Sequence, residues 1–119
     1  MMLTENTIAF AKEIFANLEN IERDNDDLEV KLTYYGGKLT QCDSAIENLP
    51  EEFLRCMYVG IEPDEDRQKP VPIAEATIML SQKIDYLREC LEYNKKQQEE
   101  LTSLLNQLKK IYPDLVEII

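Results

Sequence analysis

The sequence predicts an all-α protein: a long antiparallel helical hairpin or coiled coil, completed to a bundle by oligomerisation or a partner. Three observations carry that prediction. Two apolar stripes repeat at alternating spacings of three and four. One short acidic, Pro-rich segment separates them. The 119 residues hold only three Gly and five Pro, and that composition belongs to a folded, helix-rich chain. The first stripe is Ala11, Ile14, Leu18, Ile21, Asn25, Leu28, Leu32, Tyr35, Leu39, Cys42, Ile46, Leu49 and Phe53. The second is Ile73, Thr77, Leu80, Ile84, Leu87, Leu91, Asn94, Gln98, Leu101, Leu105, Leu108 and Tyr112. An average spacing of about 3.5 residues is that of a narrow coiled-coil seam, not of a wide globular face.

The whole chain, 1–119, reads as one helical-hairpin domain. Helix one is predicted over about 4–49. Thr4 and Thr7 are cap candidates, and Glu5 suits the positive end of the helix dipole. Gly36-Gly37 is the soft spot, because each Gly costs about 1 kcal/mol against Ala in a helix. The stripe keeps its phase through Leu32, Tyr35 and Leu39, so a continuous helix is predicted there. Pro50 removes an amide donor and closes this helix, or opens a new turn with Glu51 and Glu52 behind it.

Residues 53–59, Phe-Leu-Arg-Cys-Met-Tyr-Val, fit either a helical extension to 59 or a short strand, and helix is the favoured reading. Residues 60–72 form the loop, with three prolines, a charge run and no regular element expected. Helix two is predicted over 73–112 and ends at Pro113, since the residue before proline is steered out of helical geometry. The apolar tail 113–119 either folds back or docks on a partner.

Helices joined by one short loop run antiparallel, so with a turn near residue 61, residue i sits level with about 122 minus i. Asn25 then falls near Asn94 and Gln98, the adjacent polar pair of the second stripe. These three are predicted to form one register-setting polar layer. The same register brings the acidic run Glu22–Glu29 level with Lys95 and Lys96, and Gly36-Gly37 level with Tyr86.

Net charge is −11, from 24 acidic and 13 basic residues. Nucleic-acid and anionic-membrane binding need clustered Lys and Arg, so neither is expected directly. Three separated cysteines, Cys42, Cys56 and Cys90, make no disulfide framework and indicate reduced thiols in an intracellular compartment, cytoplasmic or nuclear. The N-terminus lacks the basic start and apolar run of a signal peptide. The chain contains no histidine, phosphate-binding glycine loop or calcium loop. No enzymatic activity, catalytic residue, cofactor or metal is expected.

Apolar residues off the stripes are the candidate partner interface. Met79, Tyr86 and Tyr93 recur every seven residues, Phe10 and Phe15 flank the first stripe, and Leu104 and Ile111 flank the second. Leu115 and Ile118 belong to the tail. A two-helix hairpin has no third element to cover such a face. The function expected is therefore a non-enzymatic interaction or scaffold subunit. It would be a homo- or hetero-oligomer, with a protein partner that is itself or another helical chain.

The layout of long helix, short insert and long helix resembles the β-class prefoldin subunits, which carry a β-hairpin between their helices. That resemblance implies a chaperone subunit with a strand pair in the insert, for which Phe53–Val59 is the one candidate strand. Small coiled-coil subunits of transcriptional-coactivator and kinetochore assemblies are similar in layout. A third reading is an acidic inhibitor that mimics nucleic acid, of a phage type.

Overall fold

The computed structural model describes residues 3–63 and 69–118. It is an all-α helical hairpin. Its elements are α1 (Glu5–Asn48), α2 (Glu51–Leu54), β1 (Tyr58–Val59), β2 (Val71–Pro72), α3 (Ile73–Ile111) and α4 (Leu115–Ile118). The chain divides into two compact units. Unit one comprises the chain up to Asp27 and from Cys90 onward; unit two is Leu28–Glu89.

Helix α1 starts as its sequence dictates. The Thr7 amide donates to Thr4 Oγ1 at 3.2 Å, which satisfies one of the free N–H groups of the first turn. The helix then runs unbroken through Gly36-Gly37. A Cβ at either glycine would meet nothing within 4 Å, so no ring fills the space that the expected Tyr86 level implied. Tyr86 is instead exposed.

In unit one the helices pair antiparallel. Asn25 meets Asn94 in mid-helix, while Ala11 and Ile14 cluster with Leu105 further along. The observed level for Asn25 is thus 94 rather than 97. The tail folds back here: Leu115 is fully buried in that cluster, with Leu3, Ile8, Leu101, Leu108 and Tyr112 packed around it. Burial of a leucine of this kind stabilises by about 1.5–3 kcal/mol.

In unit two the core is Tyr35, Cys42, Ile61, Ile73, Ala76, Leu80, Ile84 and Leu87. Two expectations fail in this unit. Residues 53–59 do not extend the helix: Pro50, in extended geometry, caps the four-residue α2, and Tyr58–Val59 form a strand. The insert is not devoid of regular structure either, because Val71 and Pro72 pair with that strand antiparallel, Val59 opposite Val71 and Tyr58 opposite Pro72. The Ile73 amide donates to Met57 O at 3.1 Å and ties the ladder to the first turn of α3.

Three residues at the end of the predicted stripe are exposed: Ile46, Leu49 and Phe53. The cause is length. Helix α3 begins at Ile73, and the buried first-stripe residues in the core of this unit end at Cys42, so the later turns lie beyond the facing helix. Buried Ile61 packs into the core of this unit from the acidic insert.

Candidate functional site

The polar layer forms in part. Asn94 Nδ2 donates to Asn25 Oδ1 at 3.0 Å, and both residues are half-buried. An amide pair of this sort costs stability against a Leu pair but penalises any register that separates its members. Gln98 is half-buried one turn along α3 and stands outside this bond. At the register of the Asn25–Asn94 bond Lys95 and Lys96 do come level with the acidic run; the ion pairs among the described residues are Arg55–Glu51 and Lys83–Glu62.

The second of these belongs to a cluster in unit two that the sequence reading missed. The Tyr35 hydroxyl donates to Glu62 Oε2 at 2.6 Å, and Lys83 Nζ donates to Glu62 Oε1. Lys83 also lies 4.9 Å from the Tyr35 ring centroid, within cation–π range, and the Tyr34 ring stands edge-on to Tyr35 at 5.2 Å. The Lys83 and Tyr35 hydrogen bonds hold the Glu62 carboxyl below its usual pKa. Burial, then the bond to Glu62, pushes Tyr35 up. Burial opposes the charge on Lys83, but its bonds to Glu62 and Tyr35 outweigh that and its pKa is raised.

One signal for this cluster existed in the sequence. A tyrosine at a seam position brings a hydroxyl that needs a partner when buried. The partner's identity is a long-range fact, because Glu62 is 27 residues away in an acidic insert. Beside the cluster is a mainly apolar cavity of about 530 Å³ whose walls include Val30, Tyr34, Tyr35, Lys83, Tyr86 and Leu87. The cluster neutralises the carboxylate with a cation and a phenol, and it fastens the insert to both long helices of its unit.

The candidate interface residues separate clearly. In unit two, Met79 and Tyr86 are exposed. In unit one, Phe10, Phe15, Tyr93, Leu104, Ile111 and Ile118 are exposed, as is Val116. Leu115 is the exception, since it is fully buried and offers nothing to a partner. The thiols divide likewise: Cys42 is buried, Cys90 half-buried and Cys56 exposed, and all three are free. Burial raises the Cys42 thiol pKa, which leaves it the protonated, inert form.

No helix among the described residues is long and apolar enough to cross a membrane. The chain matches no protein-family model, no curated protein and no solved structure.

Proposed function

We propose that the protein is a non-enzymatic helical-hairpin interaction subunit, which assembles through its off-seam apolar surface with itself or another helical chain. One observation carries the reading. Apart from the exposed end Ile46, Leu49 and Phe53, the 3-4 stripes are largely spent on the cores of the two units, while large apolar side chains off the stripes remain uncovered, among them Phe10 and Tyr93 at 59% and 64% exposure. Scattered apolar side chains are ordinary on a surface; a recurring set on helices with no covering layer marks an interaction face. The test is the solution mass of the isolated chain together with affinity capture on the tagged protein. A defined oligomer or a stoichiometric helical partner supports the reading. A monomer that captures no protein contradicts it.

The β1–β2 pair favours a second reading, a chaperone subunit of the prefoldin-like layout. It is the strand pair between long helices that this resemblance implies, although each strand has only two residues. Suppression of aggregation of a chemically denatured client enzyme tests it. No suppression at a stoichiometric excess removes it.

A further inference from the structure

We propose that the end of the first stripe, in unit two, is a docking site for a basic amphipathic helix of another protein, an assignment that rests on the interaction-subunit reading and specifies one partner. Cys42 is buried in the core of this unit. Ile46 and Leu49 follow it by four and seven residues, so helical phase puts them on the same, core-directed face of α1. The helix holds its form to that point, because the Leu49 amide still donates to Ala45 O at 2.9 Å. Yet Ile46 and Leu49 are each 40% exposed, and Phe53 on α2 is 62% exposed although Leu54 beside it packs against the core. A seam face therefore continues past the core that covers its earlier turns. Its 3-4 spacing is that of knobs which pack into a facing helix.

Charge specifies the occupant. Residues 38–62 carry five carboxylates, at 43, 47, 51, 52 and 62, and two cations, Lys38 and Arg55. Arg55 is used within the chain on Glu51, and Glu62 is held by Lys83. Asp43, Glu47 and Glu52 make no ion pair among the described residues. Asp43 and Glu47 stand four apart on the flank next to Ile46, an arrangement in which like charges destabilise a helix. Residues 73–82, the first turns of α3, add Glu75 and no cation. A helix with apolar residues on one face and Lys or Arg beside them covers the seam end and relieves that repulsion. A second copy laid here about a two-fold axis would set carboxylates against carboxylates. Three apolar anchors make a small contact, of the weak, transient class rather than that of a stable dimer. In such a contact the charges supply much of the rate and selectivity.

The test is fluorescence anisotropy of a dye-labelled synthetic peptide, helical and amphipathic, with Leu at the a and d positions and Lys on both flanks. A matched peptide carries Glu in place of Lys. The full chain is titrated as wild type, Ile46→Ser/Leu49→Ser, Asp43→Asn/Glu47→Gln and, as a control, Glu92→Gln/Glu99→Gln, which removes two exposed carboxylates from unit one. The Lys peptide is expected to bind the wild type and the control alike, and each of the other two variants about tenfold more weakly. The Glu peptide is expected to bind the wild type at least about tenfold more weakly, and raised salt to weaken the Lys peptide without abolishing it. Circular dichroism verifies the helix content of each variant, and if Ile46→Ser/Leu49→Ser loses helix the Asp43/Glu47 variant decides. Equal binding of the Lys peptide to all four chains would mean attraction to an acidic chain at large and overturns the proposal. Equal binding of the two peptides overturns it too, as does a self-association lost in the Ile46/Leu49 variant, which assigns the site to a second copy. If neither peptide binds, the proposal fails, while a defined oligomer or a captured helical protein leaves the interaction-subunit reading standing. A monomer that binds neither peptide and captures nothing overturns both.

Discussion

Single residues govern how unit two holds its insert. Tyr35 is 4% exposed and gives its hydroxyl to a carboxylate. Tyr35→Phe is expected to lower stability by about 0.5–1.5 kcal/mol, read as a shift in the urea midpoint. An unchanged midpoint would show that water replaces the bond at no cost. The same cluster sets a pH dependence. Glu62 is lowered in the folded protein, so its contribution is present above the unfolded carboxyl pKa of ~4.3 and fades as pH falls through the folded value. Lys83 and Tyr35 are raised, so theirs are present below ~10 and fade as pH rises through the folded values. Glu62→Gln is expected to remove the acid limb of that profile and leave loss on the alkaline side. At the other unit's polar layer, Asn25→Leu with Asn94→Leu is expected to raise the thermal midpoint and broaden the oligomer distribution, because an apolar pair fits more than one register. A lower midpoint would remove the register-setting role.

Elements show which parts of the fold were legible. Helices α1 and α3 could be read because every turn repeats the same local instruction, an apolar residue three or four positions on, and Thr4 and Pro113 mark ends by local chemistry. The continuous helix through Gly36-Gly37 was legible for the same reason. Since both glycines are helical without positive φ and a Cβ there meets open space, Gly36→Ala and Gly37→Ala are each expected to stabilise by about 0.5–1 kcal/mol in thermal unfolding. A destabilised variant would mean that another surface approaches this backbone closely. Of the β1–β2 pair, β1 stood as the alternative reading of 53–59, while β2 was not legible. Val71-Pro72 has strand meaning only once Tyr58-Val59 lies beside it, and prolines on both sides mask it as loop. The exposure of Ile46, Leu49 and Phe53 was hidden too, because a stripe records its own periodicity and not where the facing helix begins. Helix α4 shows the same limit: the tail was visibly apolar, but only its docking decides that Leu115 is core while Val116 and Ile118 are surface. Leu115→Ala is expected to cost about 2–5 kcal/mol, as for other fully buried leucines, measured by urea denaturation.

On the scale of the whole molecule, composition and packing lead to one consequence. Each unit is organised around helices that pack most of their stripes on each other, joined by the tail in unit one and by the insert in unit two, and among the described residues large apolar side chains off the stripes stay exposed. The candidate interface was legible as a set of off-stripe positions, since helical phase alone separates Phe10 or Tyr93 from the seam. Which of them stays available was not legible, because it depends on the tail and on the insert. The most direct test of the account is sedimentation equilibrium of the intact chain at physiological ionic strength, across a wide concentration range. The account predicts a mass of two or more chains or, with affinity capture on the tagged protein, a stoichiometric complex with another helical chain, either persisting at raised salt as an apolar contact does. A one-chain mass at every concentration, together with no captured protein, would contradict it.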